Sequence, residues 1–274
     1  MLYLVSTPIG NLGDISERAK ETLATVDLIA CEDTRTTGAL LNLLGIKHGP
    51  LTAYHEHNAD KAKTVLIDKL KKGVNIALVS DAGTPLVSDP GFRLVRACRE
   101  EHLPVTTIPG ANAVLSALQL SGLPSDSFYF GGFLPPKSTA RKQILESIKN
   151  LQATLIFYDT PNRLSDTLQD ILLVLGNRQM AVVREITKKF EETCIDTVQN
   201  LIDYYNQNGT PKGELVLVIN RADKSQTALT DKQIDEMILK TLQTSSVRDT
   251  AEIVSQTTGL SKKQIYKRAV ELNG

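Results

Sequence analysis

The feature that most constrains this chain is an alternation. Short runs of β-branched and aromatic residues recur at 2–6, 26–31, 74–80, 105–108, 128–133, 154–158, 180–184 and 215–220, and most intervening segments carry helical spacing. Such a pattern builds an α/β fold, because each amphipathic helix can bury its apolar stripe only against a sheet face. Residues 60–72 are the clearest helix. Ala62, Val65, Leu66 and Leu70 fall on one side, Lys61, Lys63, Asp68 and Lys71 do not, and Gly73 supplies the stop. The 274 residues, 41% of them hydrophobic, suffice for two α/β lobes with separate cores and a small appendage.

The expected joints are 121–127, with Gly122, Pro124 and Ser125, and 223–229, after which only helical spacing continues. The expected domains are a lobe over 1–120, a second over 121–223, and a helical appendage over 228–274. Lys+Arg and Asp+Glu both number 31, so there is no global attraction to a polyanion, and an RNA partner would need a local basic patch. Cys31, Cys98 and Cys194 have neither metal-type spacing nor an even count and read as free thiols of a reducing compartment. With no basic leader and no run of about 18 apolar residues, the expectation is a soluble cytoplasmic protein.

Three loops at strand ends are rich in Gly, Pro, Asp and Ser: 7–14, 80–91 and 109–113. Ligand crevices of open α/β sheets lie at the carboxyl ends of strands, where these loops fall. Gly10 and Gly13 do not make a G-x-G-x-x-G fingerprint, and no P-loop signature occurs. The first loop leads to a helix capped by Asp14 or Ser16. In the second, two Ser-Asp pairs, two prolines and two glycines exclude regular helix and central strand. Its backbone could hold a cofactor with an amino acid end, Asp81 or Asp89 could face a cationic centre, and Asp89 also reads as a cap for a helix over 92–101. Glu32-Asp33-Thr34-Arg35 is either a polar cleft network or a helix start capped by Asp33 or Thr34. His55 and His57 lack the further ligands a metal site needs, so no metal is expected.

Taken in order, Thr7-Pro8-Ile9-Gly10-Asn11-Leu12-Gly13-Asp14, Glu32-Asp33-Thr34-Arg35, Ser80 through Gly91, Ile108-Pro109-Gly110-Ala111, Gly132-Phe133-Leu134-Pro135, Arg184-Glu185-Ile186-Thr187-Lys188 and Gly213-Glu214 resemble the ribosomal RNA small subunit methyltransferase I family, within the tetrapyrrole methylases. The resemblance spans nearly the whole chain. It implies two α/β lobes, S-adenosylmethionine folded into the cleft between them, a homodimer, and methylation of the 2′-hydroxyl of a cytidine ribose in the decoding region of 16S rRNA.

Carried over by position, the resemblance implies that Ser80, Asp81, Ala82, Gly83, Thr84, Pro85, Val87 and Ser88 hold the methionine part of the cofactor, with Gly110, Ala111, Asn112 and Ala113 beside them. It puts Tyr158, Asp159, Ala181, Val182, Gly213, Glu214 and Leu215 around ribose and adenine. Pro8 would border the cofactor, while Asn11, Asp33, Arg35, Phe133, Leu134, Pro135 and Arg184 would line the substrate mouth. Asp159 and Asn162 depart from the family's Phe-Tyr-Glu-(Ser/Ala)-Pro-His-Arg. The acid is retained at shorter reach, and no histidine stands there to move a proton.

Methyl transfer to a hydroxyl needs alignment and gains from a base, for which Asp33, Glu185, a deprotonated Lys188 and His55 are the candidates. Helices over 247–257 and 261–272, with Gly259 between, would pack through Ile253, Val254, Ile265, Ala269 and Val270. They would present Lys262, Lys263, Lys267 and Arg268 to RNA phosphates. Two rival readings are a tetrapyrrole methylase acting on a small molecule or protein, and a nucleotide-binding regulator without turnover.

Overall fold

Strand β1 (Leu2–Val5) lies inside a five-stranded parallel sheet of order β3-β2-β4-β1-β5, formed with β2 (Leu28–Cys31), β3 (Leu51–Ala53), β4 (Ile76–Val79) and β5 (Val105–Ile108). Strands β2 and β4 are buried along their whole length, which is why they read as unbroken apolar runs. Helices α1 (Glu17–Thr25) and α2 (Thr34–Leu43) cover one face through Ala19, Leu23 and Leu41. Helices α3 (Ala59–Lys71) and α4 (Phe92–Glu100) cover the other through Leu66, Leu70, Leu94 and Cys98. The chain leaves β1 toward one edge and β4 toward the other. A crevice therefore opens at the carboxyl ends of these two neighbours.

The computed structural model describes residues 1–223, 231–258 and 260–273. They divide into two compact units: 1–148 with 153–220, and 149–152 with 221–274. Within the first unit a second sheet has the order β6-β7-β10-β8-β9, from β6 (Phe128–Phe133), β7 (Thr154–Asp159), β8 (Gln179–Arg184), β9 (Glu192–Thr197) and β10 (Leu215–Ile219). Only β6 and β7 run parallel; the other neighbours are antiparallel. Helices α6 (Ser138–Ile148), α7 (Pro161–Leu175) and α8 (Val198–Asn208) bury one face around Phe157, Leu168 and Leu201.

The opposite face receives α5 (Ala113–Ser121), whose Val114, Ala117 and Leu118 pack on Ile156, Ala181, Val183, Val216 and Val218. Ile9 and Val87, from the loops after β1 and β4, join this cluster. The first sheet's loops are thus fixed by apolar contact to the second sheet, through side chains that are partly buried and so contribute less than the roughly 1.5–3 kcal/mol of a fully buried one.

Several expectations are corrected. Val65 is exposed, because the buried stripe of α3 runs through Ala59, Leu66, Ile67 and Leu70. Asp89 does not cap α4; Gly91 stands at that position without a side-chain bond. Asp33 caps α2 and Ser16 caps α1, which settles both alternatives. Strands β3 and β9 were not anticipated. All three cysteines are free thiols.

In the second unit, α9 (Asp231–Leu242), α10 (Val247–Thr258) and α11 (Lys262–Asn273) pack around Ile234, Ile238, Ala251, Val254, Ile265 and Ala269. Ile253 and Val270, expected to pack, are exposed. Positions 224–229 of the second joint, and Gly259, lie outside the described residues. No helix among the described residues is long and apolar enough to cross a membrane.

Candidate active site

Three loops of the first lobe are tied together at the crevice. Thr7 and Gly83 exchange backbone hydrogen bonds of 2.9 and 3.0 Å. Gly83 has φ +77°, a conformation that side chains disfavour. The Thr84 hydroxyl donates to the Ala111 carbonyl at 3.1 Å and accepts from Asn112 Nδ2 at 3.2 Å. Asn112 also accepts from Leu115 N–H, so one side chain both starts α5 and fixes the loop after β4. Ser80 bonds the carbonyl of Ala82 within its own turn at 3.1 Å.

Strain is concentrated in the same region. Leu86, Ser88, Glu185 and Thr187 all have positive φ, and His102 is the one other non-glycine residue to do so among the described residues. Each such residue costs of order 1–3 kcal/mol and persists only where its surroundings over-determine it. Here they do. Glu185 accepts from Glu214 N–H and from Lys188 Nζ, both at 2.9 Å, and Lys188 Nζ also reaches Glu214 at 2.9 Å. Gly213, at φ +102°, has no room for a Cβ, because Glu185 side-chain atoms would stand 2.5 Å from it.

Between the lobes lies a cavity of about 290 Å³. From the first lobe it is bordered by Ala82, Gly83, Thr84, Val87, Ser88, Asn112 and Ala113, all expected there. Tyr158, Asp159, Gly213, Glu214 and Leu215 close it from the second. Phe133, expected at the substrate mouth, also lines it, with its ring 5.4 Å from that of Tyr158. Asp89, one of the two carboxylates expected to face a cationic centre, lies in the wall, whereas Asp81 does not; Ile9, Thr160 and Val216 complete it and were not assigned from sequence. Val216 is the register partner of Tyr158 across β7 and β10, a pairing that only the folded sheet reveals.

Other expected residues lie outside the wall. Pro8 and Pro85 are buried in the loops. Asp81 accepts from Asp33 N–H at 3.1 Å, and Gly110 lies against Ser6. Ala111 contributes its carbonyl to Thr84. Ala181 is packed under α5, and the side chain of Val182 points into the core on the far face of the sheet. Leu134 is core as well, while its carbonyl accepts from Arg163. Asn11 accepts from Gly13 N–H, and Arg184 is held by the Lys212 carbonyl and Glu192. A wider groove of about 690 Å³ between α3 and α4 shares Asp89, but its Arg93 and Arg96 are already paired with Glu56, Asp60 and Glu100.

The electrostatics sort the candidate bases. Asp33 accepts from the side chain and backbone N–H of Arg35, which holds its carboxyl at about 2, far too low for an effective base. The Glu214 N–H and Lys188 lower Glu185 likewise. Burial works against the charge on Lys188, but its bonds to Glu214 and Glu185 prevail and raise its pKa, so it stays protonated. Burial raises Asp159, whose Oδ2 has no hydrogen-bond partner, and raises Asp89. It also pushes the Tyr158 phenol up to about 12. The rings of His55 and His57 lie 6.0 Å apart, and the described residues contain no group of three or more His, Cys, Asp or Glu placed for a metal.

Comparison with known proteins extends these observations. Residues 1–202 match the family model of Tetrapyrrole (Corrin/Porphyrin) Methylases, and residues 228–273 match that of the RsmI C-terminal HTH domain. The ribosomal RNA small subunit methyltransferase I of Mesorhizobium japonicum is 47% identical over 272 residues, 99% of this chain and 92% of its own length. That of Haemophilus influenzae is 46% identical, over 97% of this chain and 95% of its own length. In fold, the chain resembles a uroporphyrin-III C-methyl transferase from Thermus thermophilus complexed with S-adenyl homocysteine, with a TM-score of 0.54 and 16% identity over 81% of this chain and 97% of that one. The two lobes, the strained loops between them and the helical unit that follows are those of one family, and the chain is a member of ribosomal RNA small subunit methyltransferase I.

Proposed function

We propose that this chain methylates the 2′-hydroxyl of a cytidine ribose in the decoding region of 16S rRNA, with S-adenosylmethionine as donor, acting as a cytoplasmic homodimer. The observation that carries the reading is the interlobe cavity: a backbone-lined wall from one lobe, an aromatic and acidic wall from the other, and an orphaned buried acceptor, Asp159 Oδ2. These features suit a zwitterionic nucleoside. The methionine end would meet Ala82 to Ser88 and Asn112, and the sugar and base would meet Asp159, Tyr158 and the backbone at Gly213 and Leu215. The name shared by the relatives supports the RNA substrate.

The bound donor supplies a methyl group on a positively charged sulfur, already activated for in-line displacement. The chain's work is alignment and exclusion of water. Asn112 and Thr84 lock the methionine-side loops. Asp89 adds negative charge on that side, and Lys188 stays bound to Glu185 and Glu214, away from an electrophilic centre it could otherwise repel. Phe133 and Tyr158 form an apolar lip, and Tyr158 remains a neutral phenol at physiological pH. On the helical unit, Lys263 and Lys267 offer charge to phosphates.

The test is to incubate small ribosomal subunits with labelled S-adenosylmethionine and locate the methyl group by nuclease mapping and mass spectrometry. A methyl on a cytidine 2′-oxygen of 16S rRNA is expected. Methylation of a tetrapyrrole or a protein instead, or binding without turnover, rejects the reading.

A further inference from the structure

Of the candidate bases, Asp33 and Glu185 are engaged by cations and Lys188 is held protonated, while His55 keeps a buried ring Nδ1 without a partner. Beside Asp33 stands a further carboxylate with no partner of its own. Glu32 follows the last residue of β2, and β2 is paired with β4 in the register Cys31 to Val79, so Glu32 comes level with Ser80 where the β4 loop turns into the cavity wall. The neighbouring bond from Asp33 N–H to Asp81, 3.1 Å, pins the two strand ends together. Two of the acids around Glu32 have donors: Asp33 has Arg35 and Asp81 has the Asp33 amide. The Ser80 hydroxyl also holds down the proton affinity of Asp89, although its own proton goes to the Ala82 carbonyl. Among the described residues Glu32 has no hydrogen-bond or ion-pair partner.

We infer that Glu32 is the general base of the reaction, accepting the proton of the attacking ribose hydroxyl at the cavity mouth. This rests on the 2′-hydroxyl reading above. The hydroxyl oxygen bonds to the methyl carbon as the methyl–sulfur bond breaks and its electron pair stays on sulfur. The hydroxyl proton passes to a Glu32 carboxylate oxygen, leaving a neutral thioether and a neutral carboxylic acid, so charge and atoms balance. The charged groups that face Glu32 are Asp81 and Asp89 from the β4–α4 loop, Asp33 from its own loop and His55 from the β3–α3 connection. Burial and the two loop aspartates raise its proton affinity, while His55 acts in the opposite sense. Asp33, the carboxylate that Arg35 has made a weak base, lies beside one that its surroundings have made stronger.

The test compares wild type, Glu32→Gln and Glu32→Asp for single-turnover rate against pH on small subunits, for binding of S-adenosylmethionine and S-adenosylhomocysteine by calorimetry, and for thermal melting. Glu32→Gln is expected to lower the rate roughly 10²–10⁴-fold, to remove the wild-type fall in rate at acid pH, and to bind both ligands within about threefold of wild type. Glu32→Asp is expected to keep that acid limb with partial activity. A Gln variant that keeps both limb and rate overturns the inference and leaves the methyltransferase reading standing. So does selective loss of S-adenosylmethionine affinity over its product with the limb intact, which would make Glu32 a partner of the sulfonium. Wild-type enzyme that places no methyl on a ribose overturns both.

Discussion

The side chain of Lys188, on the second lobe, lies across Gly10, on the first, in the space that a Cβ at position 10 would fill. Gly10 is also at φ +153°, so alanine there is disfavoured both by backbone and by contact. The stem of Lys188, not its mobile tip, is what a methyl group would meet, and its Nζ is tied at 2.9 Å to both Glu185 and Glu214. Gly10→Ala should therefore cost about 1–3 kcal/mol in denaturant unfolding and lower methylation by at least roughly tenfold. Adding Lys188→Ala should recover part of the stability but not the activity. A fully additive double mutant would mean that the two residues do not meet.

Asp159 provides a pH test. Its side chain is buried and its carboxyl raised, by burial first, against the opposing bond from Thr160 N–H. A carboxyl raised on folding binds more protons in the native state. Wild-type stability should then fall as pH climbs from the ordinary aspartate value through the folded one, and stay level above it. Asp159→Asn keeps an acceptor for the Thr160 amide, 2.9 Å away, and removes this penalty. The variant's melting temperature relative to wild type should thus rise between acid and neutral pH, by about 2–4 °C. Affinity for S-adenosylmethionine should fall about tenfold, since Oδ2 is the acceptor left open to a ligand. Equal shifts in melting temperature at pH 4 and pH 8 would refute the assignment.

How much of this was legible in the residues depends on the kind of information each element carries. Strands such as β4, buried on both faces, announce themselves as unbroken apolar runs. Strand β9 does not, because Glu192-Thr193-Cys194-Ile195-Asp196-Thr197 is a half-exposed edge rich in polar groups, and β3 has only three residues. The glycine- and proline-rich loops pointed to the cavity because backbone conformation is written in residue type, and Gly83 and Gly213 are both needed for it. Side-chain direction is not written there. Val182 and Ala181 are neighbours in sequence but point to opposite faces of the sheet, and Leu134 turned inward although the loop carrying it reaches the mouth. Nor could the roles of Asp33 and Lys188 be ranked before their partners were known.

Arg141 is buried at 2% exposure, bonds Asp170 at 2.7 Å and donates toward the carbonyls of Pro135 and Pro136. It therefore holds from beneath the loop that begins at Phe133 on the cavity lip. Arg141→Leu takes from the buried Asp170 carboxylate its close cation, leaving the Ser138 hydroxyl at 3.0 Å and a loose 3.9 Å contact with Lys142, and should cost up to about 3–5 kcal/mol in unfolding free energy. Pairing it with Asp170→Leu should restore much of that stability, since two apolar groups of similar volume need no solvation. The lip would still have lost its carbonyl anchors. The double variant should then keep S-adenosylmethionine affinity near wild type while KM for the small subunit rises. If the double variant is no more stable than Arg141→Leu, the ion pair does not explain the cost.

The helical unit separates basic residues that the sequence grouped. Arg268 is spent on Asp235 and Asp231, at 2.5 and 2.7 Å, and ties α11 to α9. Lys262 is 2.6 Å from Glu252 on α10. Lys263 and Lys267 remain on one side of α11 with the exposed Tyr266 between them, and the only ion pair of Lys267 among the described residues is a loose 4.0 Å contact with Glu271. Exposed cations that give up little on leaving solvent are the ones that can neutralise phosphates. Lys263→Ala and Lys267→Ala should each weaken binding to 16S rRNA without changing the melting profile, and each should reduce the slope of log affinity against log salt by about 0.7–0.9. Arg268→Ala should do the reverse, loosening the three-helix unit, because it removes the cation from two carboxylates at once. Filter binding at several salt concentrations beside thermal melts would separate the two. An Arg268 variant that melts like wild type yet loses salt slope would return that residue to the RNA surface and take it out of the bundle.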